Sequence, residues 1–130
     1  MKGPEITVVK EMTFDSAHYL PCYDGPCSRL HGHTYKIQVG IKGHVSSETG
    51  MVCDFVDLKK VIKEVVDLLD HQCLNDIEDS NFPNQKPTAE LMLVWFAAKF
   101  IDSLSNYDAP VRLHFVRLWE TPTSYAEIVI

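Results

Sequence analysis

The clearest periodicity in the chain lies between residues 31 and 42. Odd positions carry His31, His33, Tyr35, Ile37, Val39 and Ile41, and even positions carry Gly32, Thr34, Lys36, Gln38, Gly40 and Lys42. Alternation with period two predicts a strand with one buried face. Both histidines fall on the apolar face, at its leading end. An earlier strand is predicted over 6–14, where Ile6, Val8, Met12 and Phe14 alternate and Lys10 interrupts the set. A turn-rich stretch from Pro21 to Pro26, with Cys22, Asp24 and Gly25, separates the two. A polar connection over 43–50 leads to a short segment around 51–55. Helical periodicity then takes over from about 57 to 70, with Leu58, Val61, Ile62, Val65, Leu68 and Leu69 in one stripe and Asp57 as N-cap. A loop with Pro83 and Pro87 ends at Thr88, a second N-cap, and a second helix runs to about Leu104. Leu91, Leu93, Val94, Trp95, Phe96 and Ala97 make that helix apolar nearly all round, which predicts burial on more than one side. Strands over 111–120 and 125–130, joined by Thr-Pro-Thr, complete the chain.

The order ββααββ predicts an α+β layer, a four-stranded antiparallel sheet with two helices on one face. Such a sheet keeps two unpaired edges unless another subunit covers them, which favours oligomerisation. A length of 130 residues fits one domain spanning 1–130 and allows a real core. The net charge of −6, without any basic run, argues against nucleic acid as a partner. The longest apolar stretch, Leu91–Ala98, is eight residues, too short to cross a bilayer. No apolar run follows Lys2, so no signal peptide is expected and the chain reads as cytoplasmic and soluble. In that setting Cys22, Cys27, Cys53 and Cys73 are read as free thiols rather than a disulfide framework.

Two histidines two apart on a strand project the same way, roughly 6 to 7 Å apart at the backbone, which suits a shared metal ion. Catalytic zinc takes three protein ligands and keeps a fourth position open. His18 shares the parity of Met12 and Phe14, so an antiparallel partner would bring it to His31 and His33. These three are the candidate Zn²⁺ ligands. A Cys22/Cys27 thiolate pair is the alternative, with looser spacing than a zinc finger. His44 and His114 are read as ordinary surface or hydrogen-bonded residues. Cys27 lies four residues before His31, where a cation and an imidazole would favour its thiolate, so it is a candidate nucleophile or base. Asp70-His71, read as the end of the first helix, is either an acid–base pair oriented by the carboxylate or a simple helix cap.

Taken together, Phe14-Asp15-Ser16-Ala17-His18, Cys27-Ser28-Arg29-Leu30-His31-Gly32-His33, Asp70-His71, Pro87-Thr88-Ala89-Glu90 and Trp119-Glu120-Thr121 resemble the 6-pyruvoyl-tetrahydropterin synthase family over nearly the whole chain. Three residues between the cysteine and the His-Gly-His are similar to the branch that makes 6-carboxy-tetrahydropterin for queuosine. The resemblance implies a tunnelling fold whose subunits form trimeric barrels stacked as hexamers, with active sites at subunit interfaces. It implies 7,8-dihydroneopterin triphosphate as substrate, converted to 6-carboxy-5,6,7,8-tetrahydropterin with release of triphosphate and acetaldehyde. By the same resemblance His18, His31 and His33 bind zinc, Cys27 is the general base, Asp70 and His71 complete its relay, and Glu120 anchors the pterin. Thr88 and Glu90 are candidate substrate contacts, Glu90 alternatively a capping group. Arg29, Lys36, Arg112 and Arg117 are the candidate triphosphate contacts. The rival readings are 6-pyruvoyl-tetrahydropterin synthase or another dihydroneopterin lyase on the same site, and a non-catalytic zinc-stabilised module. The absence of a credible fourth protein ligand argues against the module.

Overall fold

Alternation carries the two long strands into a hairpin. The computed structural model describes residues 2–21, 24–107 and 110–130, so Cys22 lies outside the described residues. Strand β1 runs Glu5–His18 and β2 runs His31–His44. Tyr35, Ile37, Val39 and Ile41 are buried and the even positions between Gly32 and Gln38 are not, as period two demands. β1 extends four residues beyond the sequence expectation because its last turns inward with polar side chains. Ser16 and His18 occupy the buried face, at 6% and 1% exposure, where a hydrophobicity pattern registers nothing.

The remaining elements are helix α1, Phe55–Val66, a short strand β3, Gln72–Cys73, helix α2, Ala89–Ser105, and strands β4, Arg112–Thr121, and β5, Ser124–Val129. The sheet has five strands in the order β3-β1-β2-β4-β5, rather than the expected four. The four long strands are antiparallel to their neighbours, and β3 pairs parallel with β1 through Ser16↔Gln72 and Ala17↔Cys73. A strand of two residues has no periodicity to read. β5 and most of β1 form open edges.

Helix α1 starts earlier and ends earlier than its apolar stripe suggests. Its N-cap is Asp54, whose Oδ1 accepts the Val56 N–H at 2.8 Å, not Asp57. After Val66 the chain tightens, with N–H of Leu68 and Leu69 donating to the carbonyls of Val65 and Val66 at 3.1 and 2.9 Å. Asp70-His71 therefore lies beyond the helix, in the turn that enters β3. Helix α2 begins as expected, with Thr88 Oγ1 accepting the Leu91 N–H at 3.2 Å. It buries Met92, Leu93, Trp95, Phe96 and Phe100 on two adjoining sides, while Leu91, Val94 and Ile101 stay exposed.

Both helices pack on the sheet face that carries Tyr35, Ile37, Val39 and Ile41, giving one continuous core. Cross-strand partners Phe14 and Tyr35 stack with centroids 5.0 Å apart, and Phe96 closes on Phe14 at 6.0 Å. Among the described residues no helix is long and apolar enough to cross a membrane.

On the opposite face, the Phe115 ring lies over Gly40 of the neighbouring strand. A methyl on Gly40 would sit 2.2 Å from Phe115 Cε1. Gly40→Ala should cost about 1–3 kcal/mol through overpacking. Urea unfolding checks this, and adding Phe115→Ala should make the alanine nearly neutral. Equal costs in both backgrounds would refute the contact.

Candidate metal centre and a carboxylate–histidine pair

The hairpin register assembles the histidines. His18 of β1 stands directly opposite His31 of β2, and Ser16 opposite His33. Ring centroids lie 4.6 Å apart for His18–His31, 5.1 Å for His18–His33 and 4.9 Å for His31–His33, with planes 64° to 88° apart. His18 Nδ1 donates to Pro87 O at 2.9 Å and His31 Nδ1 to Arg29 O at 2.7 Å. A carbonyl only accepts, so these bonds put the proton on Nδ1 and leave Nε2 as a lone-pair donor. Metal-binding histidines are typically oriented in this way. Tyr35, fully buried beneath the trio, reaches His18 Nδ1 at 3.4 Å, and burial pushes its phenol above the usual range.

Glu120, at the end of β4 beside a register shift between Trp119 and Thr121, turns into the same place. Its Oε1 lies 3.4 Å from His18 Nε2 and 3.0 Å from His33 Nε2. Those distances reflect proximity rather than alignment, since both Nε2 atoms are buried and without a directed hydrogen-bond partner among the described residues. The His18 imidazole, with His33 and His31 behind it, holds the Glu120 carboxyl below its usual range. Burial lowers His33, against the pull of Glu120. The ligand atoms of His18, His31, His33 and Glu120 all lie within 4.8 Å of one another. Three imidazoles, two of them with an orphaned Nε2, and one carboxylate fit a zinc ion. Sequence spacing offers no fourth ligand. The structure brings up a candidate in Glu120, eighty-seven positions from His33 along the chain and a neighbour only through strand pairing, so the missing fourth ligand no longer argues against a zinc-stabilised module.

Asp70 and His71 gather elsewhere. They cluster with Asp15, on the solvent side of β1, whereas His18 lies on the core side. The Asp15 main chain clamps both. Its N–H donates to Asp70 Oδ1 at 2.9 Å, and its carbonyl accepts the His71 N–H at 2.6 Å. Thr34 Oγ1 donates to Asp15 Oδ1 at 2.5 Å. His71 has φ 58°, the left-handed region that a β-carbon disfavours. Non-glycine residues held there mark functional sites more often than chance. Its Nδ1 lies 3.0 Å from Asp70 Oδ2, and its ring is 77% exposed. Asp15 and Thr34 escaped the sequence reading because a polar residue on a strand's open face is ordinary.

Cys27 sits half-buried in a one-turn 3₁₀ segment, Pro26–Ser28, and its carbonyl accepts the Leu20 N–H at 2.8 Å. Its thiol joins neither the histidine set nor the Asp15–Asp70–His71 set. Thr88 is the α2 cap, next to Pro87, and Glu90 is exposed in the first turn of that helix. Two clefts flank Gly32–Thr34, one of ≈ 550 Å³ toward His71 and one of ≈ 450 Å³ toward Trp119 and Glu120. A larger hollow of ≈ 680 Å³ lies at the other end of β2, around His44, Cys53 and Tyr107. The convergent nitrogens, not cavity size, identify the site.

A family model described as 6-pyruvoyl tetrahydropterin synthase matches residues 7–129. The chain is 38% identical to a Haemophilus influenzae 6-carboxy-5,6,7,8-tetrahydropterin synthase, over 92% of this chain and 96% of that protein. It is 34% identical to a Pyrococcus furiosus dihydroneopterin monophosphate aldolase, over 87% and 88%. The solved 6-pyruvoyl tetrahydropterin synthase from Caenorhabditis elegans superposes with a TM-score of 0.85 at 27% identity, covering 100% of this chain and 99% of that one.

The clamp on His71 has a consequence in solution. Asp70 raises His71 above its ordinary value near 6.5, while the Asp15 N–H, ahead of His71, lowers Asp70 below 3.8. His71 therefore contributes stability below pH 6.5 that is lost as pH rises through its folded value. Asp70 contributes above 3.8, lost as pH falls through its own folded value. An NMR titration of the histidine rings should put His71 above 6.5, and Asp70→Asn should return it toward that value. A wild-type midpoint at or below 6.5 refutes the clamp.

Proposed function

This chain belongs to the 6-pyruvoyl tetrahydropterin synthase family, and on that footing we propose that it converts 7,8-dihydroneopterin triphosphate to 6-carboxy-5,6,7,8-tetrahydropterin, releasing triphosphate and acetaldehyde. The observation that carries the reading is the convergence of His18, His31 and His33, two of them with orphaned Nε2 atoms. The name of the Haemophilus relative supports the product. The reading makes residues 1–130 one catalytic domain of a cytoplasmic enzyme without nucleic-acid or membrane partners.

In this proposal His18, His31 and His33 hold a zinc ion, which when bound supplies a Lewis acid that acidifies the C–H beside the substrate's side-chain oxygens. Cys27 accepts that proton. His71, made more basic by Asp70, relays protons as triphosphate departs. Glu120 swings from the histidines to accept two parallel hydrogen bonds from the pterin's ring N–H and amine. Thr88 and Glu90 line the approach.

Cys27 joins neither cluster, and in this proposal the relay draws on the Asp70–His71 pair of a second copy. Support for assembly comes from the open β5 edge, where Tyr125, Val129 and Ile130 are all more than half exposed. A homo-hexamer of stacked trimeric barrels is the proposed assembly. The Pyrococcus relative favours a second reading, aldol cleavage of dihydroneopterin monophosphate on the same residues.

Zinc-loaded protein should turn over the triphosphate to 6-carboxy-tetrahydropterin and acetaldehyde, identified by mass. 6-Pyruvoyl-tetrahydropterin, or cleavage of the monophosphate alone, would change the reaction and keep the site. Untouched substrate would overturn the enzymatic reading. Cys27→Ala and His71→Ala should each be inactive and zinc-replete, and co-refolding them should restore part of the activity. No recovery would exclude a shared site.

Glu120→Gln separates anchor from ligand. As a pterin anchor it should keep stoichiometric zinc and raise KM at least tenfold. Loss of zinc instead would make Glu120 a permanent fourth ligand.

A further inference from the structure

The proposed substrate carries a polyanionic tail, and the chain has a net charge of −6. A local cation is therefore needed to hold the tail. Of the twelve lysines and arginines, four are already spoken for in ion pairs. Lys63 bonds Asp67 at 2.6 Å, Lys99 bonds Asp79 at 2.7 Å, Arg112 is bidentate on Glu5, and Arg117 pairs with Glu127. Lys36 lies on the outer face of β2, its Nζ 4.5 Å from the Trp119 ring centroid, and lines the ≈ 450 Å³ cleft with His33 and Glu120. Lys10 pairs with Val39 and Lys42 with Thr7, which puts them about 20 Å or more along the hairpin from the histidines. Lys59 and Lys60 ride on α1, and Lys2 precedes β1.

Two further exposed cations of the same chain adjoin the groups that orient the trio. Arg29 supplies the carbonyl that holds His31 Nδ1 at 2.7 Å. Its own N–H donates to Pro26 O at 3.1 Å. The main chain is thus fixed on both sides, and the exposed side chain has no ion-pair partner among the described residues. Lys86, also exposed, is bonded to Pro87, whose carbonyl holds His18 Nδ1 at 2.9 Å.

We propose that Arg29, assisted by Lys86, recognises the phosphate chain of the substrate at the rim of the histidine site. This rests on the pterin-phosphate reading above. A guanidinium presents paired donors that match phosphate oxygens, and an ammonium at Lys86 adds a second point charge. Arg29 is anchored through its backbone to a ligand-orienting bond, so its position relative to the reacting centre is set by the same contact that sets His31. Arg112 and Arg117 are excluded by their carboxylate partners.

The test compares binding of 7,8-dihydroneopterin triphosphate with that of unphosphorylated 7,8-dihydroneopterin, by equilibrium dialysis of zinc-loaded protein. Turnover is measured separately. Wild type should prefer the triphosphate, and added salt should erode that preference. Arg29→Ala should weaken triphosphate binding at least tenfold and leave the unphosphorylated pterin within twofold. Arg29→Lys should recover part of the loss, and Lys86→Ala should show a smaller loss of the same kind. The proposal is overturned if Arg29→Ala weakens both ligands alike, if it weakens neither, or if Lys36→Ala carries the loss. Preference for the triphosphate without turnover would sink the catalytic reading and leave this one standing.

Discussion

The antiparallel register of β1 against β2 is the constraint on which everything else depends. It pairs Phe14 with Tyr35, Met12 with Ile37 and His18 with His31. Because side chains alternate with period two, a slip of one residue would move the apolar set of either strand to solvent. The stacking of Phe14 on Tyr35 and the burial of Ile37, Val39 and Ile41 therefore fix the register. Burying a side chain of that size contributes about 1.5–3 kcal/mol, and several act together. The histidines meet as a consequence. Hydrophobic energy spent along the middle of the hairpin positions the polar groups at its end.

Those polar groups reduce the stability of the fold. A buried donor or acceptor without a partner costs about 1–3 kcal/mol, and both His18 Nε2 and His33 Nε2 are in that state. The second nitrogens are not left to chance. Pro87 and Arg29 offer carbonyls to His18 and His31, so the rings are held with their lone pairs converging before any ligand arrives. His71 stores strain on the other face, kept in the left-handed region by its own N–H on the Asp15 carbonyl while the Asp15 N–H holds the neighbouring Asp70 carboxylate. Neither arrangement serves packing, which is why both read as function.

Much of this was legible in the sequence where a residue's own side chain reports its environment. His31 and His33 declare their face because Tyr35 to Ile41 extend the same parity. Thr88 declares the start of α2 because a hydroxyl before an apolar run has a cap to make. Legibility failed where the decisive contact came from the backbone or from a distant strand. Asp54 and Asp57 are equally good caps on paper, and only the geometry of the entering chain chooses Asp54. The turn after Val66 could not be foreseen, since Leu68 and Leu69 continue the helical stripe with Leu69 fully buried. Glu120 reads as a pterin anchor through the resemblance alone, and nothing local says that β4 lies beside β2 with Glu120 turned toward His33. Asp15 acts through its amide and carbonyl, which every residue has.

The two equipped faces bound what one chain can do. Asp15 and Ser16 are adjacent, and in a strand adjacent side chains leave on opposite sides. The histidine cluster belongs to the side of Ser16 and His18, and the Asp70–His71 pair to the side of Asp15. Between them stands the hydrogen-bonded backbone of β1 and β2, and at its end the ≈ 550 Å³ cleft is lined by both His33 and His71. Chemistry that draws on both sets is placed at the end of the hairpin, where Gly32 stands opposite Ala17 and the cleft opens.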